Sequence, residues 1–475
     1  MVSGPNSRSR RVTLLKAGLL LANFIVADVN AGVLIAFLST LVLFVSMVFV
    51  GQSTNAFDIS KLTIFGAWYL SYLALTYLPS FFVYADQSGP YRGRYLFAVH
   101  SALIFVPLGV LLTDFVLGTT KEQSNRYFNQ PLRHGTRDTR LMLACRFLLI
   151  GLLALTGCYL LEVRTIPLFY FVRHPEEYLE LVLLREESFK LLDSPLMLLY
   201  YLAKMLLYPY LAMIALGGYL VTRNSRWLRI FLAGLAAGLF FASLTLAKAP
   251  VASLVFLLVV FVYFYRGRRL RLKWLIPSLI ALLAFPIGLL IIMGDISITT
   301  AIEGLAGRIF YLPAEILYYY FEVFPTHVGF LHGRSISHLA SLLGVQFFSV
   351  ENYVGLYMFP LAPRSISAPA SFLGYLYADF GLPGVIVGAF IAGLTMASVH
   401  TFFLRRPKTI ATVAAYAFLV YSFVYLNATA LPIVLASNGA LLSILLTWLL
   451  DWYAGRDRRE ATIHLSGGGV QQSIS

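Results

Sequence analysis

Charge is what this sequence has least of. Asp, Glu, Lys and Arg make up 12% of its 475 residues, about half the share of an ordinary soluble domain. A soluble body of this size needs a far more charged surface, so a water-soluble enzyme and a disordered chain are both excluded. Cysteine is nearly missing: Cys145 and Cys158 lie within one apolar run, which excludes a disulfide scaffold and a cysteine-ligated metal site. Metal-ligand spacing is missing too. His327, His332 and His338 form neither an i, i+4 pair nor an HExxH pattern, so no metal is expected. Low-complexity sequence is confined to a short polar tail at 466–475. What is abundant is apolar: 59% of residues, with a mean hydropathy of +0.78. The net charge is +14, but the basic residues fall in short loops between apolar runs, not on one solvated face. That pattern belongs to a membrane protein and not to a nucleic-acid binder.

A crossing helix takes about 20 mostly apolar residues. Twelve stretches qualify: 12–27, 31–50, 62–84, 95–118, 139–163, 195–221, 226–246, 249–265, 272–293, 372–403, 409–430 and 433–453. The expected fold class is an all-α polytopic membrane protein, a single transmembrane domain over 1–475. Arg8, Arg10, Arg11 and Lys16 give the first stretch the look of a secretory signal; no small-x-small cleavage site follows, and it is kept as a span. No internal repeat is visible, which argues against a transporter. Lys and Arg gather at 121–140, 223–229, 266–273, 405–408 and 456–459. With twelve spans all of these share a side with the N-terminus, and the positive-inside rule makes that side the cytoplasm. Both termini, including the tail 454–475, are then cytoplasmic.

The opposite side receives two long segments, 164–194 and 294–371. Connections of that length are usually functional. The first contains HPEEYLELVLLREESFKLLDS from His174, which reads as an amphipathic helix lying on the outer membrane surface. It either caps the bundle or closes over a lipid-linked substrate. In the second, a helix is expected from about Pro313, putting Glu315, Tyr319 and Glu322 on one face at i, i+4 and i+7. Arg308 precedes it. Arg308, Arg334 and Arg364, with Lys248 and the first segment's Arg164, Arg173 and Arg185, would make an outward-facing cationic cleft suited to phosphate oxygens. Lys248 alone reads equally as an interfacial lysine reaching lipid headgroups. Asp114, Arg146, Glu162 and Lys204, in or at the ends of spans, read as snorkelling or paired groups.

Four pieces recur in order over roughly 240–395. They are Leu246-Ala247-Lys248-Ala249-Pro250; Arg308-Ile309-Phe310-Tyr311-Leu312-Pro313; Phe324-Pro325 with Phe330-Leu331-His332-Gly333-Arg334-Ser335; and Tyr377-Ala378-Asp379-Phe380-Gly381-Leu382-Pro383-Gly384. With two large outer loops, this set resembles the O-antigen polymerase (Wzy-type) group of oligosaccharide repeat-unit polymerases. The first half of the chain matches only in hydropathy. Some members carry an arginine followed eleven residues later by glycine in each large loop; here those positions are Tyr319 and Val345. The resemblance implies a GT-C-like fold and a metal-independent, cofactor-free glycosyltransferase of the bacterial inner membrane. It would join undecaprenyl-diphosphate-linked oligosaccharides at the periplasmic face, alongside a flippase and a chain-length regulator, for O-antigen or exopolysaccharide synthesis.

Such chemistry needs cations at the diphosphate and a base at the acceptor hydroxyl. For the diphosphate and glycan the candidates are Lys248, Arg308, Arg334, Arg364, Arg173, Tyr319 and His332. For the base they are Glu315, Glu322, His332, His338 and Asp379, with Glu315 and His338 ranked first. An O-antigen ligase, attaching a finished glycan in one transfer, fits the same features, and a flippase fits them less well. An enzyme using lipid monophosphate sugars would carry paired acids in the first outer loop, which here holds only Asp28-Val29-Asn30.

Overall fold

The structure, a computed structural model, describes residues 61–130, 139–163, 165–174, 196–266, 297–361 and 366–467, with a few single residues besides. Among these residues there is no β-strand, and eight helices are long and apolar enough to cross a membrane. Each of the eight coincides with a stretch expected from hydropathy. A further helical run, α1 (64–86), covers the stretch expected at 62–84. The stretches at 12–27, 31–50 and 272–293 lie outside the described residues, as do Arg164, Arg185, Arg364 and most of the amphipathic segment after His174.

After α1 come α2 (Arg92–Leu117), α3 (Lys121–Asn129), α4 (Thr139–Glu162), α5 (Pro167–Arg173), α6 (Leu196–Thr222), α7 (Ser225–Ser243) and α8 (Lys248–Arg266). The second outer segment holds α9 (298–323), α10 (Ser337–Leu342) and α11 (Val350–Met358). The chain ends with α12 (Phe372–Leu404), α13 (Ile410–Val424), α14 (Leu431–Leu435) and α15 (Ala440–Gly467).

Three of these helices contain a widened π turn, and each has the same cause. In α1 the Leu78 N–H donates to Leu73 O, in α6 Tyr208 to Ala203 O, and in α9 Leu312 to Gly307 O, all one residue longer than an α-helical bond. The next residue each time is a proline: Pro79, Pro209 and Pro313. Proline has no N–H to give and its ring crowds the carbonyl four residues back, so the turn before it opens.

Contacts between loops sort the helix ends into two layers. In one, Lys408 Nζ donates to Phe128 O (3.1 Å) and Gln130 O (3.0 Å), Arg405 to Leu117 O (2.7 Å), Thr409 to Asp451 (3.0 Å), and Lys61 to Asn125. In the other, Tyr311 donates to Asp86, Leu168 N to Leu244 O (3.1 Å) and Tyr201 to Asn438 (2.9 Å). Successive helix ends alternate between these layers, so the described basic loops share one end and the long segments share the other. The closest crossing is α2 against α12. A Cβ on Gly393 would lie 2.0 Å from Val106 O, and one on Gly109 2.3 Å from Phe390 O; only glycine lets the two backbones meet this closely. Nine residues into α12, Gly381 breaks the helix with φ 67° and ψ −159°.

Candidate active site

The site is built on the second half of α9, Leu312–Val323. Its Ala314, Leu317, Tyr318 and Phe321 are buried, while Glu315, Tyr319 and Glu322 stay half-buried on the remaining face. Phe321 stacks on Tyr377 of α12 at 4.0 Å between ring centroids, which pins the helix against the outer end of the bundle.

Two elements distant in sequence complete the wall. The end of α1 brings Asp86, whose Oδ2 accepts from the Tyr311 hydroxyl at 2.7 Å. α11 brings Tyr357, which donates to Glu322 Oε1 at 2.8 Å and lies 3.3 Å from His327 Nε2. The Tyr319 and Tyr357 rings pack at 6.1 Å. Partial burial, and then the charge of Asp86, push the Glu315 carboxyl above the ordinary carboxylate range. Burial raises the Tyr319 phenol, helped by the charges of Glu315 and Glu322. The Tyr357 phenol is pushed up to about 12, by burial first and then by its bond to Glu322. The result is a carboxyl that gives and takes a proton nearer neutrality, set in a wall of phenols.

Cations stand at the rim. Arg92 and Arg94, both exposed, open α2; Arg92 lies over the Tyr84 ring at 5.2 Å and Arg94 sits beside the Tyr377 hydroxyl. Arg308 is exposed in the π turn of α9, one turn before Tyr311, and makes no ion pair with Glu315.

The remaining candidates are dispersed. Arg334 donates through Nε to Gln346 O at 3.0 Å and ties down its own loop. His332 is exposed at φ 53°, in a turn held by Asp379. Asp379 is 1% exposed and accepts from Gly333 N (2.9 Å), Ser335 N (3.2 Å) and the Ser335 hydroxyl. Three accepted bonds hold it in the 331–335 turn, and burial raises its carboxyl above the ordinary range. Arg173 ends α5, which is tied through Leu168 to the end of α7, and Lys248 opens α8 just beyond. These two belong to a different group of helices from Glu315. The side chains of Lys248 and His338, and all of Arg364, lie outside the described residues.

Sequence reasoning missed Asp86, Arg92, Arg94 and Tyr357. The one signal available for Asp86, Arg92 and Arg94 was their position at the expected outer ends of spans; Tyr357, inside the long outer segment, had none. Among the described residues no group of His, Cys, Asp and Glu is arranged to hold a metal ion. Comparison of the chain with protein-family models, curated proteins and solved structures gives no match.

Proposed function

We propose that the protein is a glycosyltransferase of the bacterial inner membrane. It joins undecaprenyl-diphosphate-linked oligosaccharide repeat units at the periplasmic face, within a twelve-span, GT-C-like body whose two termini are cytoplasmic. The observation that carries this reading is the wall at the loop-rich end of the bundle: Glu315, raised by burial and by Asp86, among phenols with arginines at the rim. Glu315 takes the proton of the acceptor hydroxyl as that oxygen attacks the anomeric carbon. The bond from that carbon to the lipid diphosphate breaks, and its electron pair leaves with the diphosphate. Exposed arginines such as Arg308, Arg92 and Arg94 stabilise the charge that develops there, and Tyr319 and Tyr357 offer ring faces to sugars. The Wzy-type resemblance of 240–395 names the substrate class.

The test is purified full-length protein in nanodiscs, given a lipid-linked repeat unit. A ladder of lengthening glycans is expected. A single transfer to another acceptor would make the protein a ligase, and lipid translocation without transfer a flippase; either would overturn the reading.

A further inference from the structure

The first half of α9, Ile298–Ala306, is covered by little of the protein that carries it. Ser297 starts it, its Oγ accepting from Thr300 N at 3.1 Å. At roughly 100° per residue, Ile298, Ala301, Ile302, Leu305 and Ala306 fall on one face, and Thr299, Thr300 and Glu303 on the other. In a helix packed on a core the apolar face is the hidden one. Here only Ala301, at one edge of that face, is buried; Ile298 is 64% and Ile302 49% exposed. Phe310, in the π turn that follows, is exposed as well. A two-faced helix whose apolar side no protein covers has the pattern of a helix lying in a membrane surface.

Its neighbours bring that face up to lipid. The π turn of α9 packs along residues 73–86 of α1, and its Tyr311 donates to Asp86 at the end of that helix. α1 runs beside the spans α2 and α13, and it too has an uncovered apolar side. Leu70, Ala74, Leu78 and Phe82 are exposed at every fourth position, which stacks them into one lane. Phe82, 69% exposed, is the top of the lane, and one turn later Asp86 meets Tyr311. The open face of α9 therefore continues, at the loop-rich end, a surface that the bundle offers to acyl chains.

We propose that Ile298–Phe310 is a surface helix whose partner is the bilayer. Ile298, Ile302 and Phe310 sink among the acyl chains of the leaflet at the loop-rich end, and Thr299, Thr300 and Glu303 face water. Arg308, exposed in the π turn, stands at the level of the lipid phosphates. A second copy of the chain is the poorer occupant: three side chains fall well short of the roughly 800 Å² that each partner gives to a specific protein interface. The proposal needs only that the bundle spans a membrane, and it does not depend on the transferase reading.

The experiment uses the full chain with Cys158→Ser, the buried Cys145 left in place, in phosphatidylcholine nanodiscs. A single nitrobenzoxadiazole label is attached at Ile302→Cys, Glu303→Cys or Arg308→Cys, in variants that unfold cooperatively. At 302 the emission should be blue-shifted, quenched by lipid carrying a doxyl group near the top of its acyl chain, and insensitive to iodide. At 303 it should be water-like and quenched by iodide. At 308 a nitroxide on the lipid headgroup should quench more than the acyl doxyl does. Water-like emission at 302 would overturn the surface helix. A blue shift at 302 without doxyl quenching would mean that protein, a second copy included, covers the face, and would overturn the lipid. Equal doxyl quenching at 302 and 303 would mean an immersed helix, and stronger quenching of 308 by the acyl doxyl would put Arg308 below the phosphates; either overturns the placement. The expected pattern in a protein that elongates no glycan would sink the transferase reading alone, and elongation with a water-exposed 302 would sink the surface helix alone.

Discussion

Glu315 and Asp86 are coupled, and the coupling has a sign. Asp86 holds the Glu315 carboxyl protonated to higher pH than burial alone would. A base must be deprotonated to act, so the turnover rate should rise with pH through the raised Glu315 value. Asp86→Asn removes the like charge and should move that acid limb to lower pH, with the plateau little changed. Glu315→Gln should cost about 100-fold in turnover and erase the limb; an unchanged pH profile in both variants would remove the pair from the chemistry. Lys408 poses the opposite case at the other end of the bundle. It is 2% exposed, and burial pushes its ammonium down to about 8 from the ordinary 10.5. The folded state then disfavours the proton, so this residue's penalty is complete below about 8 and fades as pH climbs to 10.5. Between those values the wild type should gain stability relative to Lys408→Met, read as the difference between their melting temperatures at pH 8 and pH 10. Helical periodicity was enough to put Glu315, Tyr319 and Glu322 on one face from sequence. Asp86 and Tyr357 were invisible because only folding brings 86, 315 and 357 together. The partners of Asp379 were invisible for a related reason: the amides that bond it belong to residues more than forty positions earlier.

Among the helices, the π turns carry information that hydropathy does not. A π turn inserts one residue, which rotates the helix on its N-terminal side by roughly 100° relative to the helix on its C-terminal side. In α9 the rotated part carries Arg308 and Tyr311, and the fixed part carries Glu315. Pro313→Ala restores the missing donor and should let α9 close to regular α-helix, swinging Tyr311 off Asp86. Cysteines placed at 311 and 86 should be joined in the parent by a bifunctional thiol reagent long enough to span the two shortened side chains, and not with Pro313→Ala; cross-linking that persists would show that the proline does not set the turn. The described spans were legible because each is a run of apolar residues of bilayer length. The π turns were not, since Pro107 and Pro383 also sit inside helices, and proline alone does not say which response a helix makes.

Across the molecule, the α2–α12 crossing and the alternation of loops give two further tests. Gly393→Ala puts a Cβ onto a backbone oxygen that cannot turn aside, so the helices must part, at about 1–3 kcal/mol or more. Its melting temperature should fall by several degrees. Gly151→Ala, at a helical position with nothing within 4 Å of the added atom, should be neutral or slightly stabilising. An equal loss in both variants would mean that helix propensity, not the crossing, is being measured. For sidedness, a phosphatase fused at Ser337 should be active and one at Arg268 inactive, and the reverse would place the Glu315 wall in the cytoplasm. That the described basic loops share one end of the bundle was readable from loop charge, while the pairing of α2 with α12 was not, because a glycine in an apolar run does not name its partner.

The break at Gly381 also works as a depth gauge. At 1.5 Å per residue, an unbroken helix of the length of Phe372–Leu404 would reach roughly 50 Å, well beyond the ~30 Å of hydrocarbon it has to cross. From Gly381 to Leu404 the run is only about 36 Å, close to that thickness with a modest tilt. A hydrocarbon boundary near Gly381 would match these lengths, with Phe372–Phe380 above it. Tyr377, stacked on Phe321, lies in that upper stretch, which would put α9 and the Glu315 wall at headgroup height. On the proposed reading, a polar glycan would then meet the wall without entering the hydrocarbon, its lipid anchor remaining below.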